Sequence, residues 1–139
     1  MKYKRTAGAY IVEIPKGSKI VENLKRFCEK EKVRFGTIQA IGAAKEVTLR
    51  FFDADKKKYS DKRFKMHFEI TNLTGNISEV DGKVYLHLHI SLADRAFHMI
   101  GGHLLEAIVG GTFEAVIKPL PGRIGRKFSR EVGLNLYDF

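Results

Sequence analysis

The sequence predicts an α+β fold: a single domain over residues 1–139 in which a mainly antiparallel sheet is flanked by helices. Three observations predict it. Apolar residues recur at helical spacing in KIVENLKRFCEKEK. From residue 37 the period falls to two over several segments. Asp81–Gly82 joins two alternating runs, with the positive-φ chemistry of a tight antiparallel turn. A chain of 139 residues can bury one core without disulfides, and no repeat, low-complexity tract or Pro/Gly/Ser linker divides it.

In order, AYIVEI (9–14) predicts a first strand, closed by Pro15–Gly17. Ser18 is the expected N-cap of a helix through about Val33, with Ile20, Leu24, Phe27 and Cys28 as its apolar stripe and Glu and Lys opposite. TIQAIGAA (37–44) and EVTLRFFD (46–53) are two further strands, with Val47, Leu49 and Phe51 on one side. DADKKKYSDK (53–62) is a polar hairpin tip. FKMHFEITNL (64–73) places Phe64, Met66, Phe68 and Ile70 on one face and His67 on the other, toward solvent. In the hairpin 76–92, Val84, Leu86, Leu88, Ile90 and Leu92 point one way, and Tyr85, His87, His89 and Ser91 the other. TFEAVI (112–117) is a last strand. The tail from Pro119 to Phe139 reads as irregular, yet Phe128, Leu134, Leu136, Tyr137 and Phe139 require it to pack on this subunit or a neighbour. The count is six or seven strands, one firm helix and room for a short second one.

Composition narrows the function classes. No segment approaches the roughly 18 unbroken apolar residues of a membrane span, and the basic N-terminus lacks the apolar core of a signal peptide. The one cysteine, Cys28, cannot form an internal bridge. A core thiol and a cytoplasmic location are therefore expected. The net charge is +9, carried by residues 1–63 with 17 Lys or Arg against 8 acids; residues 64–139 hold 8 of each. Within that neutral part, residues 118–130 hold five basic residues and no acid. Such surfaces attract phosphates and lose affinity as salt rises, or simply stay solvated. There is no phosphate loop, G-x-S-x-G elbow, paired-carboxylate signature or Cys–His pair.

The strongest chemical signal is YLHLHISL followed by IGGHLLEA. His87 and His89 leave one strand face about 6–7 Å apart along the chain. Gly101–Gly102 allows the backbone to turn or approach closely before His103. Three imidazoles with an open fourth position would suit zinc or another divalent transition metal. The alternative is three histidines with no shared role. Glu106 and Ser91 are the nearby candidates to orient a ligand, and Glu106 the candidate general base. His98 has no clear face.

The succession IGAAKEVTLRFFD, FEITNLTGNISEVDGK, VYLHLHISLADRAFHMIGGHLLEAIV and TFEAVI strongly resembles the PPC (plants and prokaryotes conserved) domain in its free-standing prokaryotic form, over residues 8–120. The most specific parts are G-N-I-S with its D-G turn, H-L-H, and G-G-H-L-L-E. The resemblance implies an antiparallel sheet flanked by helices, a homotrimer, and a metal site at His87, His89 and His103. It also implies a DNA-binding role, because plant relatives join this domain to AT-hook motifs. An R-G-R-P hook core is missing; PGRIGRK (121–127) has those residue types in another order. The expected DNA contacts are Arg123, Arg126, Lys127 and Arg130, through phosphates rather than bases. The alternative is a metal-dependent hydrolase or small-molecule binder using the same histidines, and a purely structural metal is a third reading.

Overall fold

The apolar stripe does form a helix. In the computed structural model, which describes all of residues 1–139, helix α1 spans Ile20–Lys30 and fully buries Ile20, Leu24, Phe27 and Cys28. Its N-cap is Lys19 rather than Ser18, and it ends three residues before Val33. Lys32 adopts a positive φ of 56° past the end, letting the Val33 amide bond back to the Cys28 carbonyl at 2.9 Å. Phe27 anchors an edge-on aromatic cluster, with ring centroids of Tyr3 and Tyr10 each 5.0 Å away.

Everything else regular is strand. β1 (Lys2–Arg5) and β2 (Tyr10–Glu13) form an N-terminal hairpin. β3 (Gly36–Asp53) turns through 54–57 into β4 (Lys58–Phe64). β5 (Phe68–Val80) and β6 (Lys83–Ala93) meet at Asp81–Gly82, both with positive φ. β7 (Met99–Pro119) is the longest strand, and β8 (Gly125–Ser129) and β9 (Leu134–Asp138) form a C-terminal hairpin. No helix is long and apolar enough to cross a membrane.

The α+β expectation is overturned. Strands account for 64% of the residues and the one helix for 8%, a mainly β fold with no flanking helical layer. The reason lies in the pairing. β3 bonds β5 and β7, and β6 bonds the other edges of β5 and β7, so four strands close into a ring. A sheet closed on itself buries its own inner face and removes those edges, so it needs no helices to cover it. The inward set predicted on β6 is buried there, with Leu86 partly so, and meets Ile38, Leu73, Ile77 and Phe113 from the other strands. α1 closes one side against β6 and β7.

Three local expectations also change. Residues 37–44 and 46–53 are one strand, bulged at Gly42 and again between Ala44 and Glu46. At Gly42, φ is 148° and an added Cβ would fall 2.3 Å from the Thr112 carbonyl, so only glycine fits the crossing. Conversely, 64–73 is not one strand: the chain breaks at 65–67 and leaves Met66 exposed. The tail is regular, ordered by the β8–β9 hairpin whose loop closes through the Gly133 amide on the Ser129 carbonyl at 2.7 Å.

Candidate metal centre

Strand pairing delivers the histidines to one place. His89 and His103 are directly opposed on β6 and β7, and His87 follows one pleat along β6. Of the two glycines before His103, Gly101 serves close approach: a Cβ on it would sit 2.6 Å from the Ile90 carbonyl. Gly75 does the same on the other side of β6, where a Cβ would lie 2.1 Å from the His87 carbonyl. The three ring centroids lie 5.1–5.4 Å apart, and one nitrogen from each ring lies within 4.8 Å of the others. Tetrahedral zinc would need nitrogens about 3.4 Å apart, a closure within the reach of side-chain rotation. The three histidines could hold a metal ion.

Their protonation suits that role. Burial, then the neighbouring His87 and His89 and the Arg50 guanidinium, push His103 down to about 4, with Asp61 opposing. Burial, then Arg126 and His89, hold His87 below its ordinary value. A depressed imidazole is neutral near pH 7 and offers the lone pair a metal needs.

The other expected site residues fall elsewhere. Glu106 does not stand free as a base. Its carboxylate accepts the Val21 amide at 2.7 Å, the Glu22 amide at 3.2 Å and the Ala107 amide at 3.0 Å. It caps α1 from across the fold, replacing the missing N-cap side chain. Ser91 lies further along β6 and pairs with Gly101, its carbonyl accepting the Thr71 hydroxyl at 3.1 Å. His67 is exposed, and His98 is held in the β6–β7 turn, where its amide bonds Asp94 at 2.9 Å. Burial pushes the Cys28 thiol up to about 12, the state of an inert core cysteine.

Above the histidines opens a cavity of about 450 Å³ that sequence reasoning did not locate. β3 contributes Arg50 and Phe51, β4 Tyr59, β6 Tyr85 and the C-terminal hairpin Arg126 and Leu136. Phe51, expected on one side of its strand with Val47 and Leu49, is 70% exposed at the cavity mouth while those two are buried, because β3 runs past the closed ring there. Of the four basic residues expected to meet phosphates, Arg126 is turned toward this cavity and Arg123 pairs with Glu79 at 3.1 Å. Lys127 and Arg130 are exposed. The Arg130 carbonyl accepts the Lys57 ammonium at 3.1 Å, so the lysine triplet and the basic tail meet at one end of the molecule.

The profile of the Plants and Prokaryotes Conserved (PCC) domain matches residues 1–121. The chain belongs to that family. Three solved PPC-like structures show how closely the fold is shared. A candidate DNA-binding protein from Bacteroides thetaiotaomicron is 44% identical, with a TM-score of 0.97 over 99% of this chain and 96% of that one. A plant- and prokaryote-conserved protein from Pyrococcus horikoshii is 32% identical, with a TM-score of 0.88 over 99% and 94%. A protein from Archaeoglobus fulgidus described as metal-containing is 30% identical, with a TM-score of 0.90 over the full length of both chains. No curated protein is significantly similar to this PPC domain.

Proposed function

We propose that this PPC-domain protein binds a divalent transition metal, zinc or a close relative, through His87, His89 and His103. The observation that carries the reading is the convergence of one nitrogen from each ring within 4.8 Å, at a cavity floor where two of the rings are held neutral. The likeness to a metal-containing protein supports it. A metal held by three imidazoles would supply a Lewis-acidic open position. The cavity lining offers no carboxylate to act as base, and Glu106 is committed to α1. Binding, rather than hydrolysis, is therefore the role these residues support. Elemental mass spectrometry of untagged protein is expected to find close to one metal per chain, and none in a His87→Ala, His89→Ala, His103→Ala variant. Metal-free protein that stays empty after incubation with zinc would overturn the reading.

A second reading concerns DNA, and the meeting of two basic zones favours it. Lys127, Arg130 and the lysine triplet form one cationic end, whereas Arg123 sits before β8, paired with Glu79 and apart from it. Their contacts would be with phosphates, so binding would ignore sequence and weaken steeply with salt. A cytoplasmic protein with this surface would bind chromosomal DNA non-specifically. Fluorescence anisotropy on an arbitrary duplex should show affinity falling by orders of magnitude between low and physiological salt, and falling further in Lys127→Ala, Arg130→Ala. Salt-independent binding would contradict it.

A further inference from the structure

The cavity over the histidines carries an uncompensated charge. Two guanidinium groups line it, Arg50 and Arg126, and no carboxylate does. Arg50 is neutralised from outside by a two-pronged pair with Asp61, at 2.7 and 2.8 Å. Arg126 has no such partner. Its Nε donates to the Ser78 hydroxyl at 2.8 Å and one terminal nitrogen to the main-chain carbonyl of Asn135 at 3.0 Å, both neutral groups, and the other terminal nitrogen has no acceptor. The guanidinium lies 4.2 Å from the ring centroid of Tyr137 and 5.3 Å from that of Tyr85. Ring stacking and two hydrogen bonds fix the group in place.

A half-buried cation without a counter-charge is costly, and one held rigidly by neutral acceptors is preorganised for an anion. Much of the remaining wall is apolar: Phe51, Phe52 and Tyr59 on one side, Leu134 and Leu136 on the other. At about 450 Å³ the space is that of a small-molecule site, too small for a macromolecule.

We propose that this cavity binds a small organic anion, a carboxylate or phosphate head on an apolar body. Arg126 holds the head on the His87 side, and the body lies against Phe51, Tyr59 and Leu136. The proposal deepens the metal reading and rests on it only for the added affinity of metal-loaded protein, because Arg126 grips the head with or without an ion.

Calorimetric titration tests it, with benzoate and phenyl phosphate as probes for the two head groups and benzyl alcohol as the uncharged control. Wild-type, Arg126→Met and Asn135→Asp proteins are compared, each metal-free and zinc-loaded, with zinc content measured separately. At least one anionic probe should bind wild type at millimolar concentration or better, and more tightly than benzyl alcohol. Both variants should weaken it by about tenfold while keeping their zinc. Whichever probe binds identifies the head group. Should Arg126→Met fail to fold, the near-isosteric Asn135→Asp, which adds a negative charge to the cavity lining against an incoming anion, decides alone. Equal affinity in the folded variants, or equal affinity for benzyl alcohol, would overturn the proposal, as would no binding of either anion to zinc-loaded wild type. Arg126-dependent binding in protein that never takes up zinc would instead sink the metal reading and leave the anion site standing.

Discussion

His103 is the most perturbed of the three imidazoles, and its perturbation has a direction that can be checked. In the folded protein it titrates at about 4, against 6.5 for an unstrained histidine. Between those values the unfolded chain binds a proton that the folded chain does not, so stability rises with pH across that window. The contribution is intact above about pH 6.5 and lost as pH falls toward 4. Urea unfolding of metal-free protein at pH 7 and pH 4.5 should show a smaller difference in a His103→Ala variant than in wild type. At this scale much was legible. Two histidines one pleat apart must share a strand face, and of the glycine pair before the third, Gly101 makes the close backbone approach. Glu106 was not legible, because its bonding partners lie 84 and 85 residues away and no local pattern marks the encounter. Arg126 showed only as charge. Its cavity-facing place follows from a hairpin partner, Tyr137, with which it is paired across β8 and β9.

Helix α1 tests how an element without a local cap is held. Its N-cap, Lys19, makes no side-chain bond, and its first amides are satisfied by Glu106 of β7 instead. Glu106→Gln keeps the shape but loses the charge facing the helix terminus and one accepting oxygen. The expected cost is about 1 kcal/mol by chemical denaturation, with zinc content unchanged. A loss of metal with no loss of stability would instead return Glu106 to the site. The helix was legible from its stripe because Ile20, Leu24, Phe27 and Cys28 obey a single period. The strands were legible where alternation was clean, as in β6. They were misdivided where bulges reset the alternation inside β3, and where the pattern persisted through a real break at residues 65–67. β8 and β9 are five residues each, too short for a periodic signal, and Gly133 in the loop was their one available marker.

At the scale of the whole molecule, what sequence periodicity cannot convey is closure. Alternating strands look alike whether their sheet lies open under helices or returns upon itself, and only the β6–β7 pairing distinguishes the two. The family likeness was legible because its motifs fall on the turns and close approaches that make closure possible. The outer face of this sheet carries an apolar set: Ile11 and Val116 are cross-strand partners, and Ile41 lies on the adjoining strand. We propose this face as the contact of the homotrimer that the PPC resemblance implies, since exposed apolar patches mark association sites. Light scattering should then give three times the 15.8 kDa chain mass, falling to one for Val116→Glu. A single-chain mass for wild type would end that proposal.

The family profile ends at residue 121, whereas the C-terminal hairpin that walls the cavity spans Gly125–Asp138. The imidazoles thus sit on the part of the chain that defines the family, and Arg126, Leu134 and Leu136 sit outside it. The proposed metal ligands and the proposed anion contacts are therefore written on separable stretches. Rewriting some fifteen residues at the end of the chain would change what the cavity admits, while leaving the barrel and its three nitrogens untouched.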